Sequence, residues 1–157
     1  MMRLWMAPLL LAVPAMADPT LPFGRYQHTP AKCRIVYDGR PFDCQRIQIS
    51  ESGSKGLRLR FIGNIGASGE SYQLSFISLD EGESSPLRCS NSTCSLDRRN
   101  WSAALISTAW IRFNARGLPE GVPNARTASG RCWIDATTVS CESHSGNIPA
   151  TSAEAQL

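Results

Sequence analysis

Cys33-Arg34-Ile35-Val36-Tyr37-Asp38-Gly39-Arg40-Pro41-Phe42-Asp43-Cys44 is the stretch on which the fold class turns. Asp-Gly is a strong signal for a two-residue hairpin turn, because both central residues must tolerate positive φ. Folding the chain about Asp38-Gly39 opposes Tyr37 to Arg40, Ile35 to Phe42 and Cys33 to Cys44. Alternation then gathers Cys33, Ile35, Tyr37, Phe42 and Cys44 on one face. Arg34, Val36, Pro41 and Asp43 share the other, where Arg34 and Asp43 become an opposed charge pair. Pro41 falls at a non-hydrogen-bonded position, so its missing N–H breaks no ladder bond within the pair. These independent requirements agree on one register, and directly opposed strand residues lie within disulfide reach.

Two further cysteine pairs read the same way. In Cys132-Trp133-Ile134-Asp135-Ala136-Thr137-Thr138-Val139-Ser140-Cys141, a turn at Ala136-Thr137 opposes Ile134 to Val139 and Cys132 to Cys141. In Leu87-Arg88-Cys89-Ser90-Asn91-Ser92-Thr93-Cys94-Ser95-Leu96, a turn at Asn91-Ser92 opposes Cys89 to Cys94 and Leu87 to Leu96. Asn favours the first turn position, Ser the second less so. Three local disulfides are expected, each stabilising by on the order of 2–3 kcal/mol through loop closure. A zinc site is disfavoured: Cys89-x₄-Cys94 fits knuckle spacing only loosely, and the other two spacings are far too wide.

The N-terminus implies the compartment in which such bonds survive. Met1-Met2-Arg3 precedes an apolar run from Met6 to Val13, and Ala15-Met16-Ala17 offers an A-x-A cleavage site. The run is too short to span a bilayer alone. Residues 1–17 are therefore expected to be a bacterial-type signal peptide. Asp18, rather than Cys, follows the cut, so no lipid anchor is expected there. The expected organisation is one β-rich domain over residues 18–142 and a polar, disordered tail over 143–157. The predicted location is the periplasm or the exterior, an oxidising setting that suits an even cysteine count.

Between the clasps, Leu57, Leu59 and Phe61 alternate with polar residues, and so do Tyr72, Leu74 and Phe76. Asp80-Glu81-Gly82-Glu83 reads as a solvated turn, lacking the ordered ligand spacing of a calcium loop. From Trp101 to Phe113 the front half suits either a short helix or a strand, and the back half alternates as a strand. Residues 118–123 read as an irregular loop. Many short strands and frequent turns predict an all-β antiparallel barrel or sandwich. The barrel is preferred because it removes open edges.

The chemistry is sparse. The two histidines, His28 and His144, fall in the leading segment and the expected tail. A Ser nucleophile thus lacks its usual base, and every Cys belongs to a clasp. No catalytic motif or phosphate-cradling loop appears. No catalytic residue, metal or cofactor is expected. A formal net charge of +3 is too small for a nucleic-acid argument, which wants a concentrated basic face.

One string resembles a family. Ser68-Gly69-Glu70-Ser71-Tyr72, preceded by Ala67, is similar to the SGxxY motif of the periplasmic lysozyme inhibitors, which are small exported β-barrel proteins. The resemblance implies that a loop carrying Ser68, Gly69, Glu70 and Tyr72 enters a lysozyme cleft, with Ser68 and Tyr72 in contact there. It covers these residues alone. The family's lysine-containing second motif has no counterpart, since the lysines are Lys32 and Lys55. The expected function is a monomeric, non-catalytic module that binds a protein or glycan of the envelope or exterior through its loops. No nucleic-acid or membrane partner is expected once the leader is removed. The alternative is an inhibitor acting through Ser68–Tyr72.

Overall fold

The computed structural model describes residues 24–53, 56–79, 82, 84–97 and 100–157. The expected leader lies outside them, as do Asp80, Glu81 and Glu83 of the acidic turn. The described chain is all strand and turn. Its elements are β1 (Gly24–His28), β2 (Lys32–Tyr37), β3 (Arg40–Asp43), β4 (Arg46–Glu51), β5 (Gly56–Ile65), β6 (Glu70–Leu79) and β7 (Leu87–Ser90). They continue as β8 (Ser92–Leu96), β9 (Trp101–Phe113), β10 (Asn124–Thr127), β11 (Ser129–Ile134), β12 (Thr138–Ser145) and β13 (Ile148–Gln156). No helix among the described residues is long and apolar enough to cross a membrane.

All three clasps close as the hairpin registers require: Cys33–Cys44, Cys89–Cys94 and Cys132–Cys141. Asp38 and Gly39 take φ of 48° and 72°, the paired positive values of the tight primed turn. Asn91 and Ser92 do the same at 49° and 66°, so Ser92 carries a strained backbone that the neighbouring disulfide helps hold. In the third hairpin Asp135 is the organiser. Its carboxylate accepts from the Thr137 and Thr138 N–H groups, both at 2.8 Å, and this holds its carboxyl below the usual range.

The hydrogen-bonded path runs β3-β2-β13-β12-β11-β9-β6-β5-β4-β1-β8-β7, with β10 pairing β9 beyond β11. The preferred barrel does not form: among the described residues the path is open, ending at β3 and β7. One pairing also departs from the antiparallel rule, since β1 and β8 run parallel over Gly24↔Ser92 and Arg25↔Thr93. The sheet folds over so that both halves share one core. Ile35, Ile134 and Val139 from the first half join Ile47, Leu59, Phe61, Leu74 and Phe76 from the second, all at most 1% exposed. Phe61 and Phe76 meet edge to face, 5.8 Å apart.

The C-terminal segment corrects the sequence reading. Residues 148–156, expected to be disordered, form β13 between β12 and β2. Hydropathy hid it because its inward residues are small: Thr151, Ala153 and Ala155 are buried at 5%, 3% and 0%. Such small inward side chains write little apolar period into the sequence, and the strand is held by backbone pairing on both edges. A turn at Gly146-Asn147, with Gly146 at positive φ, returns the chain from β12 into β13.

Candidate functional site

The site begins with a phase change in β9. Trp101, Ala103 and Leu105 point inward as expected of one face of a strand. Ile77 pairs with Ser107 but Ser78 pairs with Leu105, which leaves Ile106 as the extra residue of a bulge. Beyond it the even positions face inward, so Thr108 lies opposite Phe76 and Trp110 opposite Leu74. β9 also changes partner at this point, from β11 before the bulge to β10 after it. Without the bulge, Ala109 and Ile111 would face inward and Trp110 would face outward.

Trp110 enters a cluster of aromatic rings from four strands. Tyr37 of β2 stacks on it at 4.6 Å with an interplanar angle of 9°. Tyr72 of β6 stacks on it at 5.2 Å and 18°. Phe42 of β3 tilts against both, 5.0 Å from Trp110 and 5.4 Å from Tyr72. Gly63 makes room for this arrangement. It lies opposite Tyr72, and a Cβ there would run into the tyrosine ring and the Asp43 carbonyl. The ring therefore lies across the glycine, and its hydroxyl donates to the Asp43 carbonyl. Burial raises the pKa values of both Tyr72 and Tyr37.

These rings wall an open cleft of about 720 Å³ whose rim carries Asp38, Arg40, Asn64 and Arg112. Asp38 is committed: Arg126 of β10 grips its carboxylate with both terminal nitrogens, at 3.0 and 3.4 Å. Arg126 also lies 5.5 Å from the Tyr37 ring centroid and donates to its hydroxyl at 3.3 Å. This clamp joins the β2–β3 turn to β10 and raises the Arg126 pKa through the hydrogen bond to Asp38. Arg112 lies 3.7 Å from Glu120 in an exposed ion pair. Arg40 has no ion-pair partner among the described residues.

The residues of the SGxxY string separate. Gly66–Gly69 form the exposed β5–β6 turn, where the Ser68 hydroxyl donates to the Ile65 carbonyl and accepts from the Glu70 N–H. Glu70 begins β6, and its carboxylate lies 3.2 Å from the Ser68 hydroxyl oxygen. Tyr72 is 7% exposed, with its ring in the aromatic cluster. His28 and His144 stand apart from the cleft: His28 stacks near Tyr26, and His144 lies 3.7 Å from Glu142 on β12. Among the described residues no cluster of His, Cys, Asp and Glu is placed to hold a metal.

Sequence reasoning gathered Tyr37 and Phe42 on one face of a hairpin and set Tyr72 in an alternating strand. Simple alternation in β9 puts Trp110 on the face opposite Ala109 and Ile111, and the bulge reverses this. Nothing in the local pattern announced that they converge. The three disulfides point to an oxidising, extracytoplasmic setting. No protein-family model, curated protein or solved structure matches the chain.

Proposed function

We propose that this protein is an exported, non-catalytic β module that binds a glycan segment of the envelope or exterior in the aromatic cleft. The observation that carries this reading is the Tyr37–Trp110–Tyr72 stack opening onto a charged and amide-bearing rim. Aromatic faces pack well against the C–H faces of sugar rings, and a few polar groups at the edge fix orientation. A cleft of about 720 Å³ falls in the range of small-ligand sites and suits a short saccharide better than a protein surface. Arg40 supplies an unpaired cation for an acidic or acetamido substituent. Asp38, the carboxylate on the rim, is held by Arg126 through both terminal nitrogens, which supports binding over acid–base catalysis.

The test is a panel of neutral, N-acetylated and uronic-acid oligosaccharides titrated calorimetrically into purified mature protein. At least one class is expected to bind, and Tyr37→Ala is expected to weaken it about tenfold by removing a stacking wall. Failure of every class at millimolar concentration sinks the reading.

A second reading rests on the exposed β5–β6 turn, where Ser68 protrudes beside the cleft-lining Ile65. Acting as a lysozyme inhibitor, the protein would present Ser68 and Glu70 while Tyr72 supports the turn from within. Inhibition abolished by Ser68→Ala would support it. No inhibition of c-, g- or i-type lysozyme at micromolar excess removes it.

A further inference from the structure

The cleft uses the inner face of the sheet; the opposite face has a separate charge pattern. Alternation along β1, β4 and β5 turns Arg25, Arg46, Arg58 and Arg60 outward, away from the core residues Ile47, Ile49, Leu59 and Phe61. The pairing Arg25↔Ser50↔Arg58 forms one row across three strands, and Gln27↔Gln48↔Arg60 forms the next. Strand geometry sets Arg58 and Arg60 about 6.7 Å apart along β5, and Arg25 about 10 Å across from Arg58. No outward position of β1, β4, β5 or β6 carries a carboxylate. None of the four arginines has an ion-pair partner among the described residues. The crowding registers in Arg60, whose pKa is lowered by burial first and by Arg58 and Arg25 next.

Like charges gathered with no paired counter-charge among the described residues raise the free energy of the unbound protein, and an anion that bridges them recovers that cost. We propose that the outer face of β1, β4 and β5 is a docking surface for a linear acidic polysaccharide. The face is continuous paired sheet with no enclosing walls, so it suits an extended chain better than a small anion. Ser50 and Gln48 lie in the two rows, half-exposed, and present hydroxyl and amide groups to a hydroxyl-rich polymer. Outward positions of these strands and of β6 hold no aromatic ring, so the stacking platform that single-stranded nucleic acid uses is missing. Its apolar members Ile62 and Ile77 are half-buried, and the exposed Leu79 stands alone at the end of β6, so no apolar cluster projects as a bilayer wedge. The proposal does not depend on the cleft, which lies on the other face.

The experiment titrates polygalacturonate, heparin and dextran into mature protein at about 50 and about 300 mM salt, a range over which screening of exposed charges rises steeply. The carboxylated and sulfated polymers are expected to bind and dextran not to. Raising the salt is expected to weaken binding by more than about tenfold. Arg58→Gln with Arg60→Gln is expected to weaken it by about tenfold or more. Arg25→Glu, at an exposed position, provides a second variant that places a carboxylate in the patch. Arg116→Gln, on the exposed loop after β9, removes an arginine charge away from the patch and is expected to leave binding unchanged. Undiminished binding by folded Arg58→Gln/Arg60→Gln and Arg25→Glu proteins overturns the proposal. So does tighter binding to DNA or to phosphatidylglycerol vesicles than to either acidic polysaccharide.

Discussion

Ala155→Glu tests whether the C-terminal segment is a strand of the fold. Ala155 is 0% exposed and lies between Val139 of β12 and Cys33 of β2. Ala153, two residues earlier, lies between Cys141 and Ile35. A glutamate at 155 would extend its carboxylate into this apolar cluster, where no cation is paired to receive it. An uncompensated buried charge costs about 3–5 kcal/mol, and overpacking adds about 1–3 kcal/mol, so a loss of about 4 kcal/mol or more is expected. A domain of this size has roughly 5–15 kcal/mol in total, so the variant should approach the limit of stability. Its thermal midpoint should fall by roughly 12 °C or more. The control is Gln156→Glu, one residue on, where the side chain is exposed and the change should stay within about 0.5 kcal/mol. Urea unfolding of both variants beside the natural protein measures the difference. If Ala155→Glu and Gln156→Glu unfold within about 0.5 kcal/mol of each other, residues 148–156 do not belong to the sheet and the reasoning fails.

The disulfides should differ in worth according to the loop each closes. Replacing both members of Cys33–Cys44, separated by 11 residues, is expected to cost about 2.8 kcal/mol, against about 2.1 kcal/mol for Cys89–Cys94, separated by 5. Denaturant midpoints of the two double-alanine variants check the order, and peptide mapping without reduction should recover only the three local links. Asp135 should make part of the stability pH-dependent. Its folded-state pKa is depressed by the Thr137 and Thr138 N–H groups, so its contribution is present above the unfolded value of about 4 and is lost as pH falls through the folded value. The stability gap between the natural protein and Asp135→Asn should therefore hold from pH 7 down to about 4 and close at lower pH. A gap that widens below pH 4 would contradict the assignment.

The local hairpins were legible because their determinants are local. Asp38-Gly39 sets a turn, the turn sets the register, and the register places Cys33 opposite Cys44 without reference to the rest of the chain. The inward sets Leu57-Leu59-Phe61 and Tyr72-Leu74-Phe76 were equally plain, since a half-buried strand writes its period into hydropathy. β13 was not legible, because its small inward alanines write little apolar period into the sequence. The aromatic cleft was not legible either. It depends on a bulge at Ile106 that reverses the phase of β9, and on a sheet that folds over to bring β2 and β3 against β6. The sequence alone thus determined an all-β chain with three clasped hairpins, since turn chemistry and alternation act over a few residues. Tertiary structure decided which faces meet, where the C-terminus goes and which rings form the cleft. Those outcomes depend on packing between segments far apart in the chain, where no local pattern records the partner.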